Sequence, residues 1–208
     1  MPSIYDLKPR FQSLLRPVTN WLAAKGVTAN QVTVAAAVLS LATGTLIAAY
    51  PDSRGLLFLV PTVLFVRMAL NAIDGMLARE HGMKSRRGAV LNELGDVIAD
   101  AGLYLPLAFV PGVPPAHLVV VVVLGIISEM AGVVAVQVGA ERRYDGPLGK
   151  SDRAFAFGLI AFLLGCGLDP GKWLSIFLNI MIALSCITII RRARRALANP
   201  IEHTPSEP

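Results

Sequence analysis

Cysteine, histidine and charge are all scarce in this chain. The two cysteines, Cys166 and Cys186, lie inside apolar blocks, and the three histidines, His81, His117 and His203, are scattered. Such a set leaves no framework for a disulfide-stapled domain or a thiolate–imidazole metal cage, because both need clustered ligands. The cysteines read as small hydrophobes. Asp, Glu, Lys and Arg make up only 16% of the 208 residues, against about 25% in an ordinary soluble domain. The N-terminus is charged rather than apolar, so a cleavable signal peptide is not expected. No internal repeat or soluble appendage is evident.

What the chain has instead is hydrophobic runs. Apolar residues make up 54% of it, and the mean hydropathy is +0.61. A spanning helix needs about 20 apolar residues. Six segments qualify: Gln31–Tyr50, Leu56–Leu77, Ala89–Val110, Ala116–Ala140, Ala154–Gly167 with flanking residues, and Trp173–Ile190. Turn chemistry separates them at Pro51-Asp52-Ser53, Pro111-Gly112-Val113-Pro114-Pro115 and Asp169-Pro170-Gly171. The expected fold is all-α: a polytopic membrane protein of six transmembrane helices, with residues 1–199 forming one domain. Residues 200–208, rich in Pro, Glu and Ser, are expected to be disordered.

The net charge of +5 could suggest nucleic acid, but its distribution explains it better. Sixteen of the 19 Lys and Arg residues fall on one side of the six spans, in four groups of four. These are Lys8, Arg10, Arg16 and Lys25; Arg79, Lys84, Arg86 and Arg87; Arg142, Arg143, Lys150 and Arg153; and Arg191, Arg192, Arg194 and Arg195. Only Arg54 and Lys172 fall on the other side, and Arg67 lies within a span. The positive-inside rule then puts both termini in the cytoplasm, with membrane lipids and not nucleic acid as the macromolecular surroundings. Residues 3–26 carry Phe11, Leu14, Leu15, Val18, Trp21 and Leu22 at helical spacing among basic residues. They predict an interfacial amphipathic helix, which could equally pack on the bundle.

The second and third spans carry a polar stripe. Positions 67, 71, 74 and 78 share one helical face, and Asn92, Asp96 and Asp100 fall one turn apart on the next helix. The short loop Glu80–Arg87 predicts antiparallel neighbours whose polar faces converge at the cytoplasmic boundary. Carboxylates there cost several kcal/mol each, about what paired, hydrated or cation-bound groups can offset. Acids with amide neighbours suit a hard cation with oxygen ligands, Mg²⁺ or Mn²⁺. Gly75, Gly88, Gly95 and Ala78 would let a ligand approach the backbone closely.

The string Asn71-x-x-Asp74-Gly75-x-x-Ala78-Arg79, followed by Gly88, Asn92 and Asp96, resembles the signature of the CDP-alcohol phosphotransferase family, D-x-x-D-G-x-x-A-R-x(8)-G-x(3)-D-x(3)-D. Asp74, Gly75, Ala78, Arg79, Gly88 and Asp96 match with correct spacing. The resemblance implies a bacterial inner-membrane protein with six spans, usually dimeric, and a cytoplasm-facing active site. It implies transfer of a phosphatidyl group from a CDP-linked lipid, CDP-diacylglycerol foremost, to an acceptor alcohol in phospholipid biosynthesis, with release of CMP. By the same resemblance Asp96 is the general base, and Asn71, Asp74, Asn92 and Asp96 hold Mg²⁺ or Mn²⁺. Gly75, Ala78, Arg79 and Gly88 hold the CDP moiety. Asn71 and Asn92 replace family aspartates; an amide carbonyl still coordinates a cation but brings no charge. Asp100 or Glu93 could compensate, or catalysis could be impaired.

A second polar patch runs from Glu141 to Arg153. Lys150, Ser151 and Arg153 at the start of a helix could bind an anion. In the family this region lines the acceptor pocket, so an acceptor phosphate is expected there; positive-inside topology with lipid contact explains the patch equally well. Ala131, Ala135 and Gly139 form a small-residue ridge that could be a dimer seam. Glu129 and Gln137 either face a cavity or pair between helices. The rival classes are a family member that binds CDP-lipid or a partner enzyme without turnover, and a small transporter, which would need broken helices or repeat symmetry.

Overall fold

The computed structural model describes residues 4–198, so the expected disorder of 200–208 lies outside the described residues. Every regular element among them is helical. In chain order these are α1 (Ile4–Ala24), α2 (Ala29–Ala49), α3 (Arg54–Leu57), α4 (Leu59–Glu80), α5 (Arg86–Tyr104), α6 (Pro115–Val134), α7 (Lys150–Gly165) and α8 (Lys172–Ala198). Short 3-10 turns extend α5 (Leu105–Phe109) and α6 (Ala135–Val138).

The helix starts follow from side-chain chemistry. Thr28 caps α2 in a reciprocal box with Gln31, and Ser85 caps α5 by accepting the Gly88 N–H at 2.9 Å. At α7 the Asp152 carboxylate accepts the Gly149 N–H at 2.8 Å. Leu57 ends α3 because Pro61, four residues on, has no N–H for its carbonyl and its ring crowds that position.

Four helical segments are long and apolar enough to cross a membrane: Ala29–Ala49, Arg54–Glu80, Pro115–Val138 and Lys172–Ala198. The other two expected spans are helical, but α5 carries Arg86, Arg87, Glu93, Asp96 and Asp100, and α7 has only 16 residues. Large apolar side chains cover the outside, among them Phe65, Met68, Phe155, Ile176 and Ile180. A soluble protein hides such groups; a bilayer accommodates them. Both cysteines are free and exposed.

One apolar core joins α2 to α8, with Leu103, Leu107, Leu118, Phe157, Leu174 and Leu178 fully buried. Tyr104 stacks on Phe157 with ring centroids 4.1 Å apart. α1 docks on α4 through Leu15, Leu22 and Ala23 against the cluster of Ile73, Met76 and Leu77. Arg16 and Glu80 add an ion pair at 3.0 Å. Leu14, Val18 and Trp21 point away from the protein.

Three expectations change. First, α4 and α5 meet through their polar side chains, as at Asn71–Asp96 and Arg67–Asp100, and not by close backbone packing, which each makes with α2 instead. At its tightest α2 meets α5 at Gly44, where a Cβ would sit 1.8 Å from the Gly102 carbonyl oxygen. Second, α8 continues past Ile190 to Ala198, because Ser185, Thr188, Arg192 and Ala196 keep one buried face through the basic segment. Third, Ala135 of the small-residue ridge packs within the chain, in a cluster with Ala140 and Ala196.

Candidate active site

The polar stripe is assembled by three helices. Asp74 on α4 is buried and accepts a 2.7 Å bond from Thr33 on α2. Across the gap left by α2, Asn71 donates to Asp96 Oδ1 at 3.3 Å. Lys150, at the first position of α7, pairs with Asp96 Oδ2. Thus Asp96 is held on one oxygen by an amide and on the other by an ammonium.

Arg67 lies deeper and is 4% exposed. It pairs with Asp100 at 2.8 Å and approaches Asp96 at 3.9 Å. Its Nε and Nη1 are buried without a protein partner. Its main partner is Asp100, one turn beyond Asp96 along α5. Glu93 is taken by Arg142 at 2.6 Å. Both acids that could have stood in for the missing aspartates are therefore committed to arginines.

Two clefts open from this centre. A polar one, about 700 Å³, is lined by Asn30, Thr33, Asn71, Asp74, Gly75, Ala78, Arg79, Lys84, Ser85, Gly88 and Asn92, among others. A largely apolar one, about 580 Å³, runs between α4 and α7 past Leu64, Phe65, Met68, Phe155 and Phe162 to Arg67, Asn71, Asp100, Lys150 and Ser151. Asn71 lines both. The glycines serve close packing as well: Arg79 Nη2 lies 2.9 Å from where a Gly75 Cβ would be, and Asn30 Oδ1 lies 2.7 Å from that of Gly88.

Among the described residues no three carboxylate, imidazole or thiolate groups form a ready metal cage. The donor set of Asn71, Asp74, Asn92 and Asp96 has two carboxylates and two amide oxygens. It fits one hard divalent cation, whose charge the two acids balance. Thr33, Asn30 and Glu129 contribute to the site or its border and were not assigned there from sequence. The signal for the first two was present: Asn30 and Thr33, three residues apart, put polar groups on one face at the start of α2.

The second patch has a different organisation. Arg153 points inward, 3% exposed, and Glu129 accepts its Nη2 at 2.8 Å. Lys150 and Ser151 line the apolar cleft, whereas Arg153 lies behind it. Gln137 is exposed. In the loop between α6 and α7, burial pushes the Asp145 carboxyl up, but bonds from Arg195 and Arg143 outweigh this and hold it below the usual carboxylate range.

The chain belongs to the CDP-alcohol phosphatidyltransferase family, whose profile matches residues 26–191. It is similar to the inner membrane protein YnbA of Escherichia coli strain K12, with 45% identity over 197 residues, 94% of this chain and 96% of that protein. It also resembles the archaetidylinositol phosphate synthase of Pyrococcus horikoshii, at 30% identity over 102 residues, 49% of this chain and 52% of the relative. Among solved structures it shares its fold with the phosphatidylinositol phosphate synthase PgsA1 of Mycobacterium tuberculosis. The crystal structure of that protein with CDP-DAG bound superposes with a TM-score of 0.75, at 23% identity, covering 88% of this chain and 94% of the other. Its complex with manganese and citrate gives a TM-score of 0.74, again at 23% identity, covering 88% and 89%.

Proposed function

We propose that this protein is a metal-dependent phosphatidyltransferase of the bacterial inner membrane, with both termini and the active site cytoplasmic. It takes CDP-diacylglycerol as donor, transfers the phosphatidyl group to an acceptor alcohol and releases CMP. The observation that carries this reading is the meeting of a polar and an apolar cleft at Asn71, beside Asp96. A CDP-lipid has the same division, a charged nucleotide joined to two acyl chains through a pyrophosphate.

The nucleotide occupies the polar cleft, with Arg79 and the backbone at Gly75, Ala78 and Gly88 around it. The acyl chains follow the apolar cleft between α4 and α7. Arg67, with two unmet N–H groups, has donor capacity for phosphate oxygens. Asn71, Asp74, Asn92 and Asp96 would hold the Mg²⁺ or Mn²⁺, which when bound neutralises pyrophosphate charge. Asp96, oriented by Asn71 and Lys150, accepts the acceptor's hydroxyl proton. The freed oxygen attacks the donor's β-phosphorus; the bond from that phosphorus to the bridging oxygen breaks, and CMP carries the oxygen away. The interfacial setting of α1 and a dimeric assembly belong to the same reading.

CMP release by purified protein from CDP-diacylglycerol, with a panel of acceptors and Mg²⁺ or Mn²⁺, tests it. Asp96→Asn should lower turnover by about 10²–10⁴ while leaving the fold intact. Full activity in that variant would remove Asp96 from the base role. A second reading rests on both Asp96 oxygens being occupied by Asn71 and Lys150. On it the protein binds CDP-lipid without turnover, and binding of CDP-diacylglycerol without metal-dependent CMP release is its signature.

A further inference from the structure

Six basic side chains surround the loop between α6 and α7: Arg142, Arg143, Lys150, Arg153, Arg192 and Arg195. From sequence, Lys150 and Arg153 of this set, with Ser151, could bind an acceptor phosphate. We infer the opposite: the acceptor used at this site is an uncharged alcohol, and Glu129 is the residue that sets the choice. The inference deepens the transferase reading and rests on it for the identity of the acceptor.

Glu129 sits on α6 at 8% exposure, where three guanidinium groups converge. Its Oε1 is 2.8 Å from Arg153 Nη2 and 3.4 Å from Arg192 Nη1, and its Oε2 is 3.6 Å from Arg142 Nη2. Three guanidiniums around one anion is the arrangement that recognises a phosphate. Here the chain supplies the anion itself.

Most of the arginine donors also have partners elsewhere, Arg142 Nε being buried without one. Arg153 Nη1 donates to Ser128 Oγ at 3.0 Å and to the Leu148 carbonyl at 3.2 Å. Arg192 donates to the carbonyls of Ser128 at 2.5 Å and Asp145 at 3.1 Å. At 3% and 2% exposure, neither lines the polar or the apolar cleft, and Arg153 meets only a small pocket it shares with Asp100 and Glu129. Arg142 is held by Glu93, and Arg143 and Arg195 by Asp145. Lys150, which does face the cleft, is paired with Asp96.

The network sits close to the reacting acid. Glu93 precedes Asp96 by three residues on α5, and Arg153 follows Lys150 by three on α7. A phosphomonoester entering here would have to displace a buried carboxylate and would meet Asp96 and Glu129 as like charges. Separating Glu129 from its arginines would leave buried charges uncompensated. An uncharged polyol needs only hydrogen bonds, which Ser151 can make from the cleft wall.

Two arms test this on the full-length protein in detergent. In the first, CMP release from CDP-diacylglycerol is compared for glycerol and inositol against glycerol phosphate and inositol phosphate. The expected result is a kcat/KM at least about tenfold higher for the uncharged alcohols. A preference of that size for the phosphorylated compounds overturns the inference. In the second, binding of inorganic phosphate is measured by calorimetry. Wild type should show no saturable binding, whereas Glu129→Gln, which keeps the shape and removes the charge, should gain it. Saturable phosphate binding by wild type that is lost in Arg153→Gln overturns the inference with no reference to activity. If no acceptor supports CMP release, the transferase reading fails, and the wild-type binding arm still decides whether this cluster is an anion site. If Glu129→Gln does not fold, both wild-type arms stand unaffected.

Discussion

At the residue scale, the signature positions reveal the family but not how each side chain is paired. Asp74 and Asp96 were legible because their spacing is fixed by the helix repeat. Their partners were not, because Thr33 is 41 residues from Asp74 and Lys150 belongs to α7. Arg67 illustrates the difference. Its place on the stripe was evident, yet only the packing of α5 decides that Asp100 receives it. Breaking such a buried pair on one side leaves a charge uncompensated. Arg67→Met should therefore cost about 3–5 kcal/mol of stability. Thermal unfolding in detergent measures it, and adding Asp100→Leu should recover much of the loss. A double variant as unstable as the single one would mean that Arg67 contributes something other than pairing with Asp100.

At the element scale, each of the six apolar blocks falls on a helix, whereas the short α3 was not anticipated. Adjacency was less legible. A short α4–α5 loop suggests direct packing, but a loop only limits how far apart two helix ends lie. The small residues Gly44 and Gly102 let α2 reach α5, and α2 then occupies the space the loop length seemed to assign to α4. This separation leaves room for the polar cleft. Gly44→Ala would drive a methyl into the Gly102 carbonyl. A destabilisation of about 1–3 kcal/mol is expected from overpacking, together with reduced CMP release as Thr33 shifts from Asp74. Unchanged stability would show that α2 can retreat without cost. The helix α8 runs on beyond the expected span. A run of arginines marks the cytoplasmic boundary, but Arg192 and Ala196 continue the buried stripe beyond it.

At the scale of the whole molecule, the proposed six crossings, with the charge bias described above, would put the α4–α5 loop and the α7–α8 loop on opposite sides of the bilayer. In a background with Cys166 and Cys186 replaced by serine, Lys84→Cys should react with a membrane-impermeant maleimide only from the cytoplasmic side. Lys172→Cys should react only from the other. Labelling of both from one side would require an even number of crossings between them.

The shortness of α7 has a consequence for how substrate arrives. Sixteen helical residues extend about 24 Å at 1.5 Å each, less than the roughly 30 Å of a hydrocarbon core. On the proposed six-span reading, lipid beside α7 would thin to meet it, and α7 forms one wall of the apolar cleft. The monolayer would then be dimpled at the doorway, bringing headgroups of neighbouring lipids down toward Lys150 and Asp96. Turnover in liposomes should accordingly rise as acyl chains are shortened, at constant headgroup composition, and fall in thicker bilayers where the dimple is harder to form.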